Sequence, residues 1–246
     1  MKQKTVGFDR RIQLDWLDAT AEWASQSMPV VEIRSRLDHL LERQIAGQGS
    51  HSARGKTITV LLHIWALVPD ELRPLRDDAL TLLCKRSGQD RLALHWGMCL
   101  STYPFFRDVA TATGRLLSLQ GKAALSQITR RTAETWGERS TVLRAAQRIV
   151  RSLIDWQVLT ETDERGVFTS APQIEIRNGD GISAWLVEAV LSNSERRARP
   201  LANVLTDSAF FPFVVRLSSR ELAHSPRLEM FRQGMDQDVV MLKTLG

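Results

Sequence analysis

Cysteine and long apolar runs are scarce in this chain of 246 residues, and each scarcity excludes a class of protein. The two cysteines, Cys84 and Cys99, are too few for a disulfide framework, and their spacing matches no common zinc site. The longest uncharged stretch, 92–106, has 15 residues, whereas a helix that spans a bilayer needs about 18 or more. The first residues, MKQKTVGFDRRIQ, contain no apolar run typical of a signal peptide. We therefore expect a cytoplasmic protein with two buried free thiols and no membrane insertion.

Motifs for nucleotide binding and catalysis are missing as well. Gly49 precedes Gly55-Lys56-Thr57 by one position too many for a phosphate-binding loop, and the preceding segment is predicted to be a helix instead of a strand. His95 and Cys99 lie four residues apart on one predicted helix, but two ligands do not make a metal site. The sequence predicts a protein that is not an enzyme, with no cofactor, no metal and a core histidine at position 95.

Positive charge is concentrated in one short segment, Lys122–Arg151. This segment holds seven basic and two acidic residues, an excess that equals the formal net charge of +5 of the whole chain. Its apolar pattern predicts two helices joined by a turn. Because arginines clustered on a helical hairpin form a surface suited to phosphate groups, nucleic acid is the leading candidate partner.

The hydrophobic pattern predicts a mainly α-helical protein in three parts. Residues 1–103 form a helical bundle, 104–171 a winged helix-turn-helix domain, and 172–246 a small α+β unit. The helices of the bundle are predicted at 8–25, from Pro29 to Gly47, and at 57–68, 70–87 and 90–102, with a loop at 47–55. The C-terminal unit is predicted to contain a turn at 178–181, a helix at 182–191, a basic loop at 195–200, a helix ending near Phe211, and strands in 213–219 and 227–242.

The central part has the element order of a winged helix-turn-helix: helix, short strand, helix, turn, helix, hairpin. We predict a helix from Pro104 to Gly121, a minimal strand at 123–125, a helix capped by Ser126, a turn at Trp136-Gly137, and a helix to Trp156 capped by Ser140 or Thr141. Strands at 158–162 and 167–170 then pair around Asp163-Glu164-Arg165-Gly166, where Gly166 supplies a positive φ. The acidic tip makes this hairpin a poor probe of DNA.

In a helix-turn-helix the second helix lies in the major groove and the first crosses the DNA backbone. Arginine can grip phosphate or guanine, and glutamine can read adenine. The predicted contacts with double-stranded DNA are Arg130, Arg131, Arg139, Ser140, Thr141, Arg144, Gln147, Arg148 and Arg151. A module that only binds other proteins, with its arginines merely solvated, remains the alternative.

The segment TWGERSTVLRAAQRIVRSLIDWQVL, together with PFFRDVATATGRLLSLQG before it, resembles the winged-helix modules of small bacterial phage-defence proteins. The BrxA family of BREX systems, which consists of compact, mainly helical, DNA-binding proteins, is the family it most resembles. The resemblance covers about Pro104–Ala171 and, in outline, the helical N-terminal half. It implies a non-catalytic accessory factor in a defence system that acts with other defence proteins. A winged-helix transcriptional regulator and a helical scaffold for protein partners remain open.

Overall fold

The computed structural model describes residues 5–176, 181–193, 198–217, 221–222, 225–234 and 237–243. This part of the chain is mainly helical, with a small sheet part. Its helices are α1 (Leu14–Ser25), α2 (Val30–Leu41), α3 (Ala53–Trp65), α4 (Arg73–Leu83), α5 (Gln89–Thr102), α6 (Pro104–Gln120), α7 (Leu125–Trp136), α8 (Ser140–Asp155), α9 (Ile182–Ser192) and α10 (Leu201–Leu205).

The strands form three small sheets. They are β1 (Ala123–Ala124), β2 (Leu159–Glu161), β3 (Val167–Ser170), β4 (Ile174–Glu175), β5 (Ala198–Pro200), β6 (Phe213–Val214), β7 (Leu228–Gln233) and β8 (Gln237–Leu242). The first sheet has the order β1-β3-β2 and is antiparallel, with Ala123 opposite Phe168 and Leu159 opposite Ser170. A parallel β4-β6 pair and an antiparallel sheet of order β5-β8-β7 follow.

One cluster of buried apolar side chains runs through the molecule, from Phe8 to Val240. Trp96 lies at its centre, within ring contact of Phe106, Trp156 and Phe213. Its indole N–H donates to the main-chain carbonyl of Ala209 at 2.8 Å. The cluster therefore contains side chains from each of the three parts anticipated from sequence, and the boundaries between those parts stay a prediction.

The helix from Pro104 to the glycine at 121 is confirmed. Proline suits the first turn of a helix, because N–H groups at that position have no acceptor within the helix and proline has no N–H to satisfy. At the other end, Gly121 ends α6 with a φ of 67°. The minimal strand, the turn after Trp136 and the hairpin are also confirmed. Gly137 has a φ of 85° and Gly166 a φ of 78°, the positive values that made glycine informative at both turns.

The first predicted helix is shorter than expected. Residues 8–13 are not helical, and α1 begins at Leu14. The main-chain N–H of Ile12 donates to Ser152 Oγ at 2.8 Å, and its carbonyl accepts from the Trp156 indole at 2.9 Å. These bonds to α8 replace the helical bonds that the apolar pattern alone suggested.

Several predicted boundaries and caps are wrong. The 47–55 loop ends early, because Ser52 caps α3 by accepting from the Gly55 N–H at 3.0 Å. The 70–87 segment begins as a single 3-10 turn at 70–72 before α4. Neither Ser126 nor Ser140 or Thr141 caps its helix: Ala124 precedes α7 and Arg139 precedes α8, and neither supplies a side-chain cap bond.

In the C-terminal part, the helix at 182–191 and the pairing of the two tail strands are confirmed. Residues 198–200 form β5 and not a loop, while 195–197 lie outside the described residues. The helix expected to end near Phe211 is α10 followed by a 3-10 turn at 208–210, and the strand within 213–219 is limited to β6. Of the predicted turn at 178–181, only Gly181 is described, with a φ of 76°.

Candidate nucleic-acid interface

Helix α8 separates a buried face from a polar face. The side chains predicted to face inward, Val142, Ala146, Ile149, Val150 and Leu153, are all buried. On the other side, Ser140, Arg144, Gln147 and Arg151 are exposed and follow one another at intervals of four, three and four residues. These intervals place them in one row along the helix. We call this row the α8 stripe.

The two arginines of the α8 stripe are not neutralised by the protein. Neither Arg144 nor Arg151 forms an ion pair with any residue in the described ranges. Leu143, 37% exposed, flanks the row within the first turn of the helix. The α8 stripe is thus a cationic and hydrogen-bonding surface with one apolar side chain at its edge.

Helix α7 packs on α8 and on α6 and adds two further exposed cations. Arg130 and Arg131 lie on its outer side, whereas Ile128, Thr132 and Ala133 are buried. Within the described residues, neither arginine has an acidic partner. Arg130 and Arg131, which were predicted to contact the DNA backbone, are therefore both open to solvent.

Trp136 fixes the turn between α7 and α8. Its ring meets Phe105 of α6 at a centroid distance of 5.0 Å and an angle of 88°, and its indole N–H donates to Asp108 Oδ2 at 2.7 Å. The Gly137 N–H donates to the Ala133 carbonyl at 2.7 Å and ends α7. The helix pair is consequently anchored to α6 by a buried aromatic residue located at the turn.

Arg139, Ser140 and Thr141 stand at the start of α8 in different environments. Arg139 is half-buried and donates to the Trp136 carbonyl at 3.1 Å, so part of its guanidinium is occupied in holding the turn. Ser140 and Thr141 are exposed. Of these three predicted contacts, the two hydroxyl residues are the ones that solvent reaches most freely.

Arg148 does not lie on the open solvent face that the sequence predicted. Its Nη1 donates to the main-chain carbonyl of Asp9 at 2.6 Å, and its side chain is 42% exposed. The sequence could not reveal this contact, because the two residues are separated by 139 positions. The N-terminal segment 8–13 therefore lies against the side of α8 next to the α8 stripe.

The same segment brings two basic residues that the sequence argument left out. Arg10 Nη1 also donates to the Asp9 carbonyl, at 2.8 Å, and Arg11 forms a two-point contact with Asp155 at 2.5 and 2.6 Å. Burial is the main cause that lowers the pKa of Arg10, opposed by Asp9 and assisted by the charge of Arg148. The adjacent arginines at 10 and 11 mark this segment as basic in the sequence, but nothing in their spacing connects them with α8.

The hairpin next to α8 carries its acidic residues at the tip. Asp163 and Glu164 are exposed together with Arg165. The Thr162 hydroxyl accepts from the Glu164 N–H at 3.2 Å and contacts the Val167 carbonyl at 3.0 Å, which holds the turn. The positive surface thus ends at the helices and does not continue onto the hairpin.

His95 is a core residue, as expected. Its Nε2 lies 3.0 Å from Asp18 Oδ1, so Nε2 carries the proton, because a carboxylate only accepts. Burial lowers the pKa of His95 despite the hydrogen bond and charge of Asp18. Arg91 binds the same carboxylate, and these contacts outweigh burial and hold the pKa of Asp18 below its usual value. Of the two cysteines, which were both expected to be buried, Cys99 is buried and Cys84 is exposed.

The described residues contain neither a membrane-spanning helix nor a cluster of metal ligands. No helix among them combines the length and apolar character needed to cross a membrane. No group of three or more histidine, cysteine, aspartate or glutamate side chains in this part of the chain is arranged to hold a metal ion. No protein-family model, no curated protein and no solved structure matches the chain.

Proposed function

We propose that this protein binds double-stranded DNA through a winged helix-turn-helix formed by α6, β1, α7, α8, β2 and β3. In this arrangement α8 enters the major groove, α7 lies across the backbone, and the β2–β3 hairpin is the wing. The observation that carries the proposal is the α8 stripe, in which Arg144 and Arg151 alternate with Ser140 and Gln147 on one exposed face. Neither arginine has an ion-pair partner among the described residues.

The residue types of the α8 stripe fit both kinds of DNA contact. Arg144 and Arg151 can bind phosphate or the O6/N7 edge of guanine, and Gln147 between them can bind adenine. Leu143 at the edge can contact the methyl group of thymine. Arg130 and Arg131 of α7 suit the flanking phosphates, which fix the orientation of a protein on the duplex without reading sequence.

The acidic hairpin tip limits what the wing contributes. Asp163 and Glu164 would meet the negative potential of the DNA, so the tip stays clear of the minor groove. We expect the affinity to come from the two helices, and we expect a large electrostatic, sequence-independent part in it. A role as a non-enzymatic accessory factor of a phage-defence system is carried by the BrxA resemblance alone and stays a prediction.

A transcriptional regulator and a defence accessory factor differ in how strongly they select sequence. Selection of bound duplexes from a random pool separates them: enrichment of one motif indicates a regulator, and retention without enrichment indicates binding through phosphates and DNA shape.

A second candidate function, from a different class, is a scaffold that binds other proteins. Two surface features favour it: the hairpin tip is acidic, and Leu143 of α8 is partly exposed.

The salt dependence of binding to a fluorescein-labelled duplex tests the proposal. Phosphate contacts release counterions, so log Kobs should fall linearly with log salt at about −0.9 per neutralised phosphate. We expect a slope of about −3.6, because α7 and α8 expose four arginines that form no ion pair within the described residues, and each can neutralise one phosphate. An affinity that is undetectable at low salt, or a slope near zero, would contradict DNA binding and favour the scaffold.

A further inference from the structure

Two arginines far apart in the sequence converge on a single oxygen atom. Arg10 Nη1 and Arg148 Nη1 both donate to the main-chain carbonyl of Asp9, at 2.8 and 2.6 Å. Their guanidinium groups are therefore neighbours, although one belongs to the N-terminal segment and the other to α8. The backbone atom that joins them is present whatever side chain occupies position 9.

Among the described residues, a single carboxylate pairs with these two cations. Asp9 Oδ2 lies 3.4 Å from Arg10 and 4.0 Å from Arg148, so two positive charges share one negative charge. Burial is the main cause that lowers the pKa of Arg10, and the neighbouring positive charge of Arg148 lowers it further.

The pair also has unused hydrogen-bond donors. Arg10 Nε is shielded from solvent and has no partner, and the Arg10 side chain is only 14% exposed. Because solvent does not reach Arg10 Nε, a phosphate would bind the remaining N–H groups of the two guanidinium groups. Among the contacts of Arg148, only Nη1 is engaged in a hydrogen bond, and 42% of the side chain is open to solvent.

We propose that Arg10 and Arg148 together hold a phosphate group, with the N-terminal segment supplying the first of the two cations. This inference rests on the proposed function, since it takes the phosphate to belong to the DNA backbone. Arginine suits such a site because its planar fork can bind two phosphate oxygens at once.

The position of the pair agrees with a backbone contact. Arg148 follows Gln147 and lies one turn beyond Arg144, so the pair borders the α8 stripe instead of belonging to it. With α8 in the major groove, residues at the side of the helix face the sugar–phosphate strand that borders the groove. The N-terminal segment is held there independently by the bonds of Ile12 to Ser152 and Trp156.

Three single variants separate this site from a structural role. Arg10→Gln removes one cation of the pair. Asp9→Asn removes the competing carboxylate but keeps the carbonyl that joins the two arginines. Arg43→Gln is the matched control, an exposed arginine that follows α2, a helix packed on α1 and α3. Thermal unfolding of each variant checks that it is folded.

Binding is measured on a labelled duplex across a salt series. Arg10→Gln should bind about tenfold more weakly, the loss typical of one charge-assisted bond, and its log–log slope should be shallower by about 0.9. Asp9→Asn should bind several-fold more tightly, and Arg43→Gln should bind as the wild type does. A tighter Asp9→Asn variant is not explained by a merely structural role of Arg10. Equal affinity and slope for Arg10→Gln and wild type would overturn the assignment.

A second arm distinguishes a nucleic-acid phosphate from a free one. Unfolding temperatures are compared in inorganic phosphate and in chloride at equal ionic strength. If phosphate stabilises the wild type but not Arg10→Gln, while DNA binding is the same for both, the site holds free phosphate and the DNA assignment is overturned. If the wild type binds no DNA at all, the proposed function fails, and this arm alone decides the phosphate site: equal stabilisation of both proteins, or of neither, overturns it.

Discussion

The indole N–H of Trp136 donates to the Asp108 carboxylate at 2.7 Å and so joins the turn between α7 and α8 to helix α6. The ring is buried against Phe105. Because both contacts are made at the turn, they set the angle at which α8 presents its exposed face.

Trp136→Phe should destabilise the protein by about 1–2 kcal/mol, since it keeps most of the packing but leaves Asp108 without its donor. Denaturant unfolding measures this directly. Trp23→Phe is the control, because Trp23 is half-buried at the surface of α1 and no hydrogen bond of its indole is among the described contacts. A loss for Trp136→Phe no larger than that for Trp23→Phe would contradict the anchoring role.

Ser152→Ala should cost about 1–2 kcal/mol, because Ser152 is fully buried and the Ile12 N–H would lose its acceptor. Arg11→Ala should cost less than about 1 kcal/mol, since the Arg11–Asp155 pair is exposed on the arginine side and screened by water. Unfolding measurements on both variants test the order. The opposite order would show that the ion pair, and not the buried hydrogen bond, holds the N-terminal segment on α8.

Stability should fall as the pH drops below about 6.5, the ordinary pKa of histidine. His95 is buried and its folded-state pKa is lowered, so the unfolded chain takes up a proton first and folding opposes protonation. Its contribution is complete above that pH and is lost as the pH falls towards the lowered pKa. Asp18, also lowered, adds a second loss below about 3.8.

Urea unfolding at a series of pH values measures this dependence. His95→Gln should flatten the curve in the window just below about pH 6.5, because the group that titrates there is gone. His63→Gln is the control, since His63 is exposed on α3. A wild-type curve that is flat through this window, or one that His95→Gln leaves unchanged, would contradict a buried neutral histidine.

Local chemistry made the helix pair and hairpin predictable from sequence. The apolar interval along α8 placed Val142, Ile149 and Leu153 inside, and the glycines at 137 and 166 marked turns that need positive φ. Both signals depend only on neighbours within a few residues. Both can therefore be recognised in a single amino-acid sequence.

Contacts between distant segments were not predictable in this way. Residues 8–13 have an apolar pattern that suits a helix, yet Ile12 bonds to Ser152 and Trp156 instead. The same docking places the Asp9 carbonyl on Arg148, which periodicity alone had assigned to open solvent. The Ser126 cap was wrong for a local reason instead: the Gln127 side chain accepts from the Ala124 N–H at 3.2 Å, and α7 starts before Ser126.

The central claim is that the α8 stripe binds the DNA backbone and bases, and the double variant Arg144→Ala/Arg151→Ala tests it most directly. Its control is Arg43→Ala/Lys56→Ala, which removes the same charge from exposed positions after α2 and in the first turn of α3. The measurement is the slope of log Kobs against log salt on one labelled duplex. We expect the stripe variant to be shallower than wild type by about 1.8, from two lost phosphate contacts, and the control to be unchanged. A stripe variant with the slope and affinity of the wild type, or a control that loses as much as the stripe variant, would contradict the claim.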